Sequence, residues 1–451
     1  MNYKAIIVGS GPAGYTAAIR LSQLGAKVAI VERDMVGGIC VNWGCTPSKA
    51  MISSAKVLKT LKTAEHYGIS VGEYKVDFQR VAARRDEVIF KSREEIRHLL
   101  EHWQVDIING SANYVDEHHV EVNGQSYEAE NIIIASGSEP LVPGFLQKED
   151  PTIVNSNKLV SIKELPESLT IVGGGIIGLE FATMFAHFGC RVRIIELLDR
   201  CLATMDPEIS TEITKELEAI GIEVLTGHKV LDISNGVLKV EKVGGAVTEI
   251  NSPMNLIAIG RKAVINPEQM QRLGIEFTPK GIVVDSNLRA SKPNIYAVGD
   301  ATGLSILAHV AIQQGIIVAE NIMGASREMN YDVIPAVVYT LPEVATVGKV
   351  PEVSETVKTF NFPFSANLRA NIEEHNSGFV KLWVNTATNK LLAAQMIGDF
   401  AGEIIQAYGD IIALDTDIEK VANTIHAHPT YSEIVRNSLE FVLGRAIEYY
   451  S

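Results

Sequence analysis

A chain of 451 residues, 46% of them hydrophobic and 21% charged, is long enough for about three domains and carries no tract of disordered composition. Its net charge of −14 leaves no basic stripe to neutralise phosphates, which excludes a nucleic-acid surface and disfavours anionic membranes. No apolar run approaches the ~20 residues of a membrane span. The opening run over 5–8 is too short for a signal-peptide core, so the expected home is the cytoplasm.

The chain opens on a buried strand over 4–8, followed at once by Gly9-Ser10-Gly11-Pro12-Ala13-Gly14. A helix with apolar Ala17, Ala18, Ile19 and Leu21 comes next, then a strand over 28–31 ending on Glu32. Glycines in this place permit a tight turn and let a pyrophosphate approach the helix N-terminus, while the acid accepts from a ribose hydroxyl.

Cys40 and Cys45, two of only four cysteines, lie in an expected loop before a second helix. Thr46 is placed to cap that helix and Pro47 to occupy its first turn, and the helix should run through Ala50, Met51, Ala55 and Leu58 to the turn at Tyr67-Gly68. A thiolate at Cys45 would face the positive end of the helix dipole, which lowers a cysteine pKa. A structural disulfide, half of a zinc site and two unrelated buried thiols are the other readings. A large cytosolic chain has no need of a disulfide staple, and no second Cys/His cluster supplies further zinc ligands. Spacing and capping therefore favour a redox dithiol.

The glycine unit returns. A strand over 169–172 runs into Gly173-Gly174-Gly175-Ile176-Ile177-Gly178, a helix, and a strand over 191–195 that ends on Glu196. Gly9 to Glu32 and Gly173 to Glu196 span the same 23 positions, which packing accident does not readily produce. Each unit has an apolar closing strand with a small-residue turn: 131–135 leads to Ser136 and Gly137, and 256–259, with Ala258, leads to Gly260 and Arg261. Both are expected in parallel sheets. A third such turn ends on Asp300, which either bonds a polyol chain or caps the helix that includes 308–318.

After residue 330 the pattern changes to strands over 337–340, 379–384 and 391–395, read as mainly antiparallel, with helices over 403–414 and 433–447. Near the end stands His426-Ala427-His428-Pro429-Thr430-Tyr431-Ser432-Glu433. Thr430 and Glu433 have capping-box spacing, so local helix capping is the simplest role for Glu433; orienting His428 as an acid/base is compatible with it.

Together, the dithiol segment, the twin glycine units, the Val298-Gly299-Asp300 turn and the His428–Glu433 ending resemble the flavin-dependent pyridine nucleotide–disulfide oxidoreductases over essentially the whole chain. The pattern is most similar to the members that oxidise dihydrolipoamide. The resemblance implies an α/β fold of two Rossmann-like dinucleotide-binding domains plus a C-terminal α+β dimerisation domain. It divides the chain into 1–146 (FAD, first segment), 147–265 (NAD), 266–330 (remainder of the FAD and central part) and 331–451 (interface).

Carried onto this sequence, Gly9, Gly11, Pro12, Ala13, Gly14 and Glu32 would hold the ADP half of FAD, with Ala112 against adenine and Ser136 and Gly137 at the closing turn. Asp300 would take the ribityl chain, Ala308 would lie near the isoalloxazine, and Lys49, paired with Glu180, would stand beside the flavin. Gly173, Gly175, Gly178, Glu196, Ala258, Gly260 and Arg261 would serve NAD; Glu196 would repel a 2′-phosphate and so favour NAD over NADP. Cys45 would face the flavin, Cys40 would exchange with substrate, and His428, reaching in from the partner subunit and held by Glu433, would be the acid/base.

The implied activity is oxidation of protein-bound dihydrolipoamide to lipoamide with NAD+. The implied partners are a second copy of the chain and the dihydrolipoyl domain of a 2-oxoacid dehydrogenase or glycine cleavage complex. Another NAD(P)H-dependent disulfide or quinone reductase is the competing enzyme, and a scaffolding subunit the competing non-enzyme; the latter has no use for Cys40, Cys45 and His428. Trp43, Thr46, Val310, Gln313 and Gln314 depart from the family pattern around the dithiol and flavin, where substrate access and redox potential are set.

Overall fold

The structure, a computed structural model, describes residues 2–146 and 149–450; the expected boundary at residue 147 lies outside the described residues. Apolar strands buried on both faces build the first sheet, as parallel strands covered by helices require. β1 (Asn2–Val8) pairs in parallel with β2 (Val28–Glu32) on one side and Gln125–Ile134 on the other, with Ile6 opposite Ala29 and Ile132. Asp106–Asn109 extends the sheet beyond β2. Ile295–Ala297 pairs in parallel with the far end of Gln125–Ile134, so the chain leaves this sheet and returns to it 160 residues later. The helix α1 (Pro12–Gln23) packs closely on Ala308–Ile322, because a Cβ at Gly315 would lie 2.5 Å from the Ala13 carbonyl oxygen.

The second sheet repeats the plan. Ser168–Val172 lies between Arg191–Ile195 and Asn255–Ile257, all parallel, with helix Ile176–His187 following the glycine turn. The third sheet is antiparallel, in the order Ala336–Val338, Glu343–Gly348, Lys390–Gly398, Phe379–Asn385, Val357–Pro363. Among the described residues no helix is long and apolar enough to cross a membrane.

A short helix and a long one carry the cysteines. Cys40 lies not in a loop but in α2 (Gly38–Asn42), and Cys45 opens α3 (Cys45–Thr63). Thr46 does not cap α3. The cap is Gly44, where a Cβ would stand only 3.0 Å from the Ile39 carbonyl oxygen, so a residue without one lets the helix start early. Pro47 does occupy the first turn, and a short helical turn over Ala64–Tyr67 ends at Gly68 as expected. The last helix, Glu433–Val442, stops short of 447. Helix α4 (Phe78–His102) and the antiparallel strands His228–Ser234, Val237–Lys242 and Val247–Asn251 have no counterpart in the sequence reading.

α3 lies where the second unit meets the third sheet. Its Met51, Ile52, Ala55 and Leu58 share one buried cluster with Leu179 and Phe185 of the second unit and with Val344 and Ile397 of the third sheet. Burying a Leu- or Met-sized side chain stabilises by roughly 1.5–3 kcal/mol, so this shared core fixes α3 against the second unit and the third sheet.

Candidate active site

The dithiol segment is anchored to the first glycine turn. Gly37 N–H donates to the Ser10 carbonyl at 3.1 Å, and a Cβ on Gly38 would come within 2.7 Å of the Gly11 Cα. Asn42, buried between the cysteines, donates from Nδ2 to the Gly38 carbonyl (2.9 Å) and the Val36 carbonyl (3.1 Å) and accepts from Arg93 Nε at 3.1 Å. Neither Asn42 nor Arg93 was singled out from sequence. An asparagine inside the cysteine spacing is a local signal; Arg93 offers none, because it arrives from α4.

The two thiols interact as neighbouring acids, and the interaction makes them unequal. Cys40 draws the pKa of Cys45, an exposed residue, down to about 7, against desolvation and with help from the Lys49 ammonium. Cys40 is pushed far up by the same interaction and by its own burial. Cys45, in the first turn of a 19-residue helix, is therefore the more acidic of the two. Lys49 Nζ lies 2.9 and 2.8 Å from the Glu180 carboxylate oxygens, joining the dithiol helix to the helix of the second unit. The solitary Cys190 and Cys201 are buried, and burial pushes both thiols up to about 12, so neither is a nucleophile.

The two glycine turns hold their acids through the same backbone donors, with Ser10 Oγ added in the first. Ser10 N–H and Oγ donate to Glu32 Oε2 at 2.9 and 2.6 Å, and Asp34 N–H donates to Oε1 at 2.9 Å. In the second unit, Gly174 N–H donates to Glu196 Oε2 at 2.6 Å and Leu198 N–H to Oε1 at 2.7 Å. Each acid thus clasps its turn and retains acceptor capacity for a hydroxyl. The glycines divide their work. A Cβ would collide with backbone at the outer positions: 2.2 Å from Ala135 O at Gly9, 1.9 Å from Gly9 O at Gly14, 2.5 Å from Ala258 O at Gly173 and 2.0 Å from Gly173 O at Gly178. At Gly11 and Gly175 it would meet nothing within 4 Å, leaving open space above a helix N-terminus. Packing needs the outer glycines, and the bare middle one fits the close approach of a pyrophosphate. Pro12 and Ala13 form the first helical residues of α1.

The closing turns gather at the same edge. Gly110 N–H donates to the Glu32 carbonyl at 2.8 Å, which brings Ala112 and its short strand beside Glu32. Ser136 Oγ donates to the Val264 carbonyl at 2.6 Å, and Val264 N–H donates to the Gly137 carbonyl at 2.9 Å. Asp300 does not cap the helix Ala308–Ile322, whose cap is Leu307; it accepts from Ser138 Oγ at 2.5 Å. The Arg261 guanidinium is turned to the same pair, donating to Ser138 Oγ at 2.8 Å and the Ser138 carbonyl at 2.9 Å. Gly260 accepts at its carbonyl from Leu141 N–H at 3.0 Å. Ala308 is the half-buried first residue of its helix. Gln314, fully buried, accepts from Gly299 N–H at 2.5 Å and donates to the Tyr331 hydroxyl at 2.8 Å, so it fixes the turn that carries Asp300.

At the far end, Glu433 opens its helix, whose cap is Ser432 without a side-chain bond rather than Thr430, and its carboxylate reaches two neighbours. Its Oε2 accepts from Thr430 N–H at 2.8 Å and its Oε1 meets His428 Nδ1 at 2.9 Å. Burial works against the charged carboxylate, but these contacts hold it below the ordinary glutamate value. With Nδ1 occupied, Nε2 is left for a proton from outside, and the His428 side chain is 62% exposed. Among the described residues no hydrogen bond or ion pair joins His428 to the thiols of its own chain.

Comparison with known proteins accords with this geometry. The family described as pyridine nucleotide-disulphide oxidoreductase matches residues 3–315, and its dimerisation domain matches residues 334–439. A dihydrolipoyl dehydrogenase of Geobacillus stearothermophilus is 36% identical over 457 residues, covering 98% of this chain and 97% of its own. One from Bacillus subtilis is 33% identical over 452 residues, covering 98% and 99%. Among solved structures, the HOCl-induced flavoprotein disulfide reductase of Escherichia coli superposes with a TM-score of 0.88 at 28% identity, covering 98% of this chain and 100% of that one. The chain belongs to the pyridine nucleotide–disulphide oxidoreductase family, dimerisation domain included.

Proposed function

We propose that this protein oxidises dihydrolipoamide, carried on the dihydrolipoyl domain of a 2-oxoacid dehydrogenase or glycine cleavage complex, to lipoamide with NAD+. It acts as a cytoplasmic homodimer whose active site takes His428 from the partner subunit. The observation that carries this reading is the placement of Cys45 in the first turn of α3, with Cys40 in the short helix just before it and Lys49, paired with Glu180, one turn further on. The dihydrolipoyl dehydrogenases similar over nearly their full length support the substrate.

Residues 1–146 with 266–330 are assigned to FAD, 147–265 to NAD and 331–451 to the interface; the return of Ile295–Ala297 to the first sheet supports this division. Gly9, Gly11, Gly14 and Glu32 would hold the ADP half of FAD, Ala112 the adenine, and Asp300 the ribityl chain. Gly173, Gly175, Gly178 and Glu196 would hold NAD, with Ala258 and Gly260 at the rim of that site. When bound, FAD and NAD+ supply the two-electron route that returns the dithiol to the disulfide.

The chain's own residues account for the rest. Starting from the Cys40–Cys45 disulfide, one substrate thiol gives its proton to His428 Nε2 and attacks Cys40 Sγ, breaking the Cys40–Cys45 bond. Attack on Cys40 is favoured because it releases Cys45, the better leaving group by virtue of its low pKa. The second substrate thiol then attacks the substrate sulfur of the mixed disulfide, closing the lipoamide ring and releasing Cys40, which takes up a proton. Two electrons and two protons leave the substrate. Cys45, the more acidic of the two, is left as the thiolate.

Turnover measured side by side on dihydrolipoamide with NAD+, on oxidised glutathione and on quinones tests the reading. Dihydrolipoamide should lead; negligible turnover of it would overturn the proposal in favour of another disulfide or quinone reductase.

A further inference from the structure

Helix α3 meets the C-terminal sheet through a row of lysines. Lys56 Nζ lies 2.9 Å from Glu343 Oε1 and Lys59 Nζ 3.5 Å from Asp399 Oδ2. Lys49, nearest the thiols, finds an aromatic ring there instead. Its Nζ stands 4.3 Å from the centroid of Tyr339, while Tyr339 N–H donates to Glu180 Oε1 at 3.0 Å. Tyr339 therefore touches both members of the Lys49–Glu180 pair, the cation through its π face and the anion through its backbone. Its ring is half-buried, and among the described residues its hydroxyl makes no hydrogen bond, so the ring and the amide are what this residue contributes.

We propose that Tyr339 is a positioning residue for the dithiol: its ring clamps the Lys49 ammonium against Glu180 at the place from which Lys49 acts on Cys45. This rests on Cys45 being the reactive thiolate. A lysine ammonium on a four-carbon stem moves readily into water, where its field is screened; the Lys49 side chain is 35% exposed even with the ring in place. A ring face within about 6 Å of a cation holds it in a drier place.

The groups facing Cys45 are Cys40 from α2, Lys49 on its own helix, Tyr15 from α1, Glu180, Arg261 and Tyr339 itself, while Glu343 and Glu403 face Tyr339. Lys49 draws the Cys45 pKa down and Glu180 draws it up. Arg261 is committed to Ser138. Letting Lys49 drift while Glu180 stays therefore has one sign: the Cys45 pKa rises, and the thiolate fraction at neutral pH falls.

The test is the pH dependence of the long-wavelength thiolate-to-flavin absorbance band in the reduced, flavin-loaded dimer, which reports the Cys45 thiolate. Tyr339→Leu, or Tyr339→Met where the leucine variant does not fold, should raise the midpoint by about 0.5–1 pH unit, a part of what one close opposite charge supplies. Tyr339→Phe should restore the wild-type midpoint. Lys49→Gln should raise it alone, and adding Tyr339→Leu to Lys49→Gln should raise it no further. An unmoved midpoint in Tyr339→Leu, or an equal further rise in the Lys49→Gln background, overturns the inference alone. A wild-type Cys45 that titrates as an ordinary thiol overturns the functional reading as well.

Discussion

The two thiols differ in acidity because their mutual interaction draws Cys45 down to about 7 and pushes Cys40 up. Cys40→Ser keeps a hydroxyl donor beside Cys45 but removes the sulfur that substrate must attack. That variant is expected to keep flavin bound and the Cys45 thiolate in place while losing dihydrolipoamide turnover, as checked by its visible spectrum and a steady-state assay. Glu433 gives a second test. Its folded pKa lies below the ordinary glutamate value, so its contribution to stability is present above that value and is lost as pH falls through the folded pKa. Glu433→Gln should therefore flatten the acid limb of the stability profile, measured as Tm against pH between about pH 5 and pH 3, and should also slow dithiol oxidation by loosening His428. Cysteines, glycines and terminal acids were legible at this scale because each sits in a local spacing. Ser138 and Tyr339 were not read as site residues, because each acts through a partner remote in sequence.

Among the elements, helix contacts decide how closely the parts of the site approach. The pair α1 and Ala308–Ile322 lies under the turn that carries Asp300, and the missing side chain of Gly315 permits their contact. Gly315→Val would drive a branched side chain into the Ala13 carbonyl, 2.5 Å from where its Cβ must stand. The expected cost is roughly 1–3 kcal/mol, seen as a lower Tm together with weaker FAD retention on dilution. Strand and helix types were legible from periodicity and from the glycine turns. Element ends were less so: α3 begins at Cys45 because Gly44 allows close backbone contact, and the last helix stops at Val442.

For the whole molecule, the exposed His428 ring, held by the buried Glu433, and the matched dimerisation domain lead to a prediction about mixed dimers. Cys40→Ser and His428→Gln should each be nearly inactive. Unfolding and refolding them together should give heterodimers in which one of two sites joins an intact dithiol to an intact His428. In a symmetric dimer assembled at random, recovered turnover should approach about a quarter of wild type. No recovery, in dimers shown to be mixed by native mass spectrometry, would place His428 and the dithiol in one chain.

The sequence by itself determined the chemistry-bearing residues, the twin glycine units and the change from parallel to antiparallel strands, because each is written in short-range spacing or in side-chain type. Only the tertiary structure decided that Ile295–Ala297 rejoins the first sheet, that Arg261 turns to Ser138 beside Asp300, and that Tyr339 reaches the Lys49–Glu180 pair. Those contacts join residues more than a hundred positions apart. They are selected by how the sheets and helices pack on one another, which no local pattern encodes.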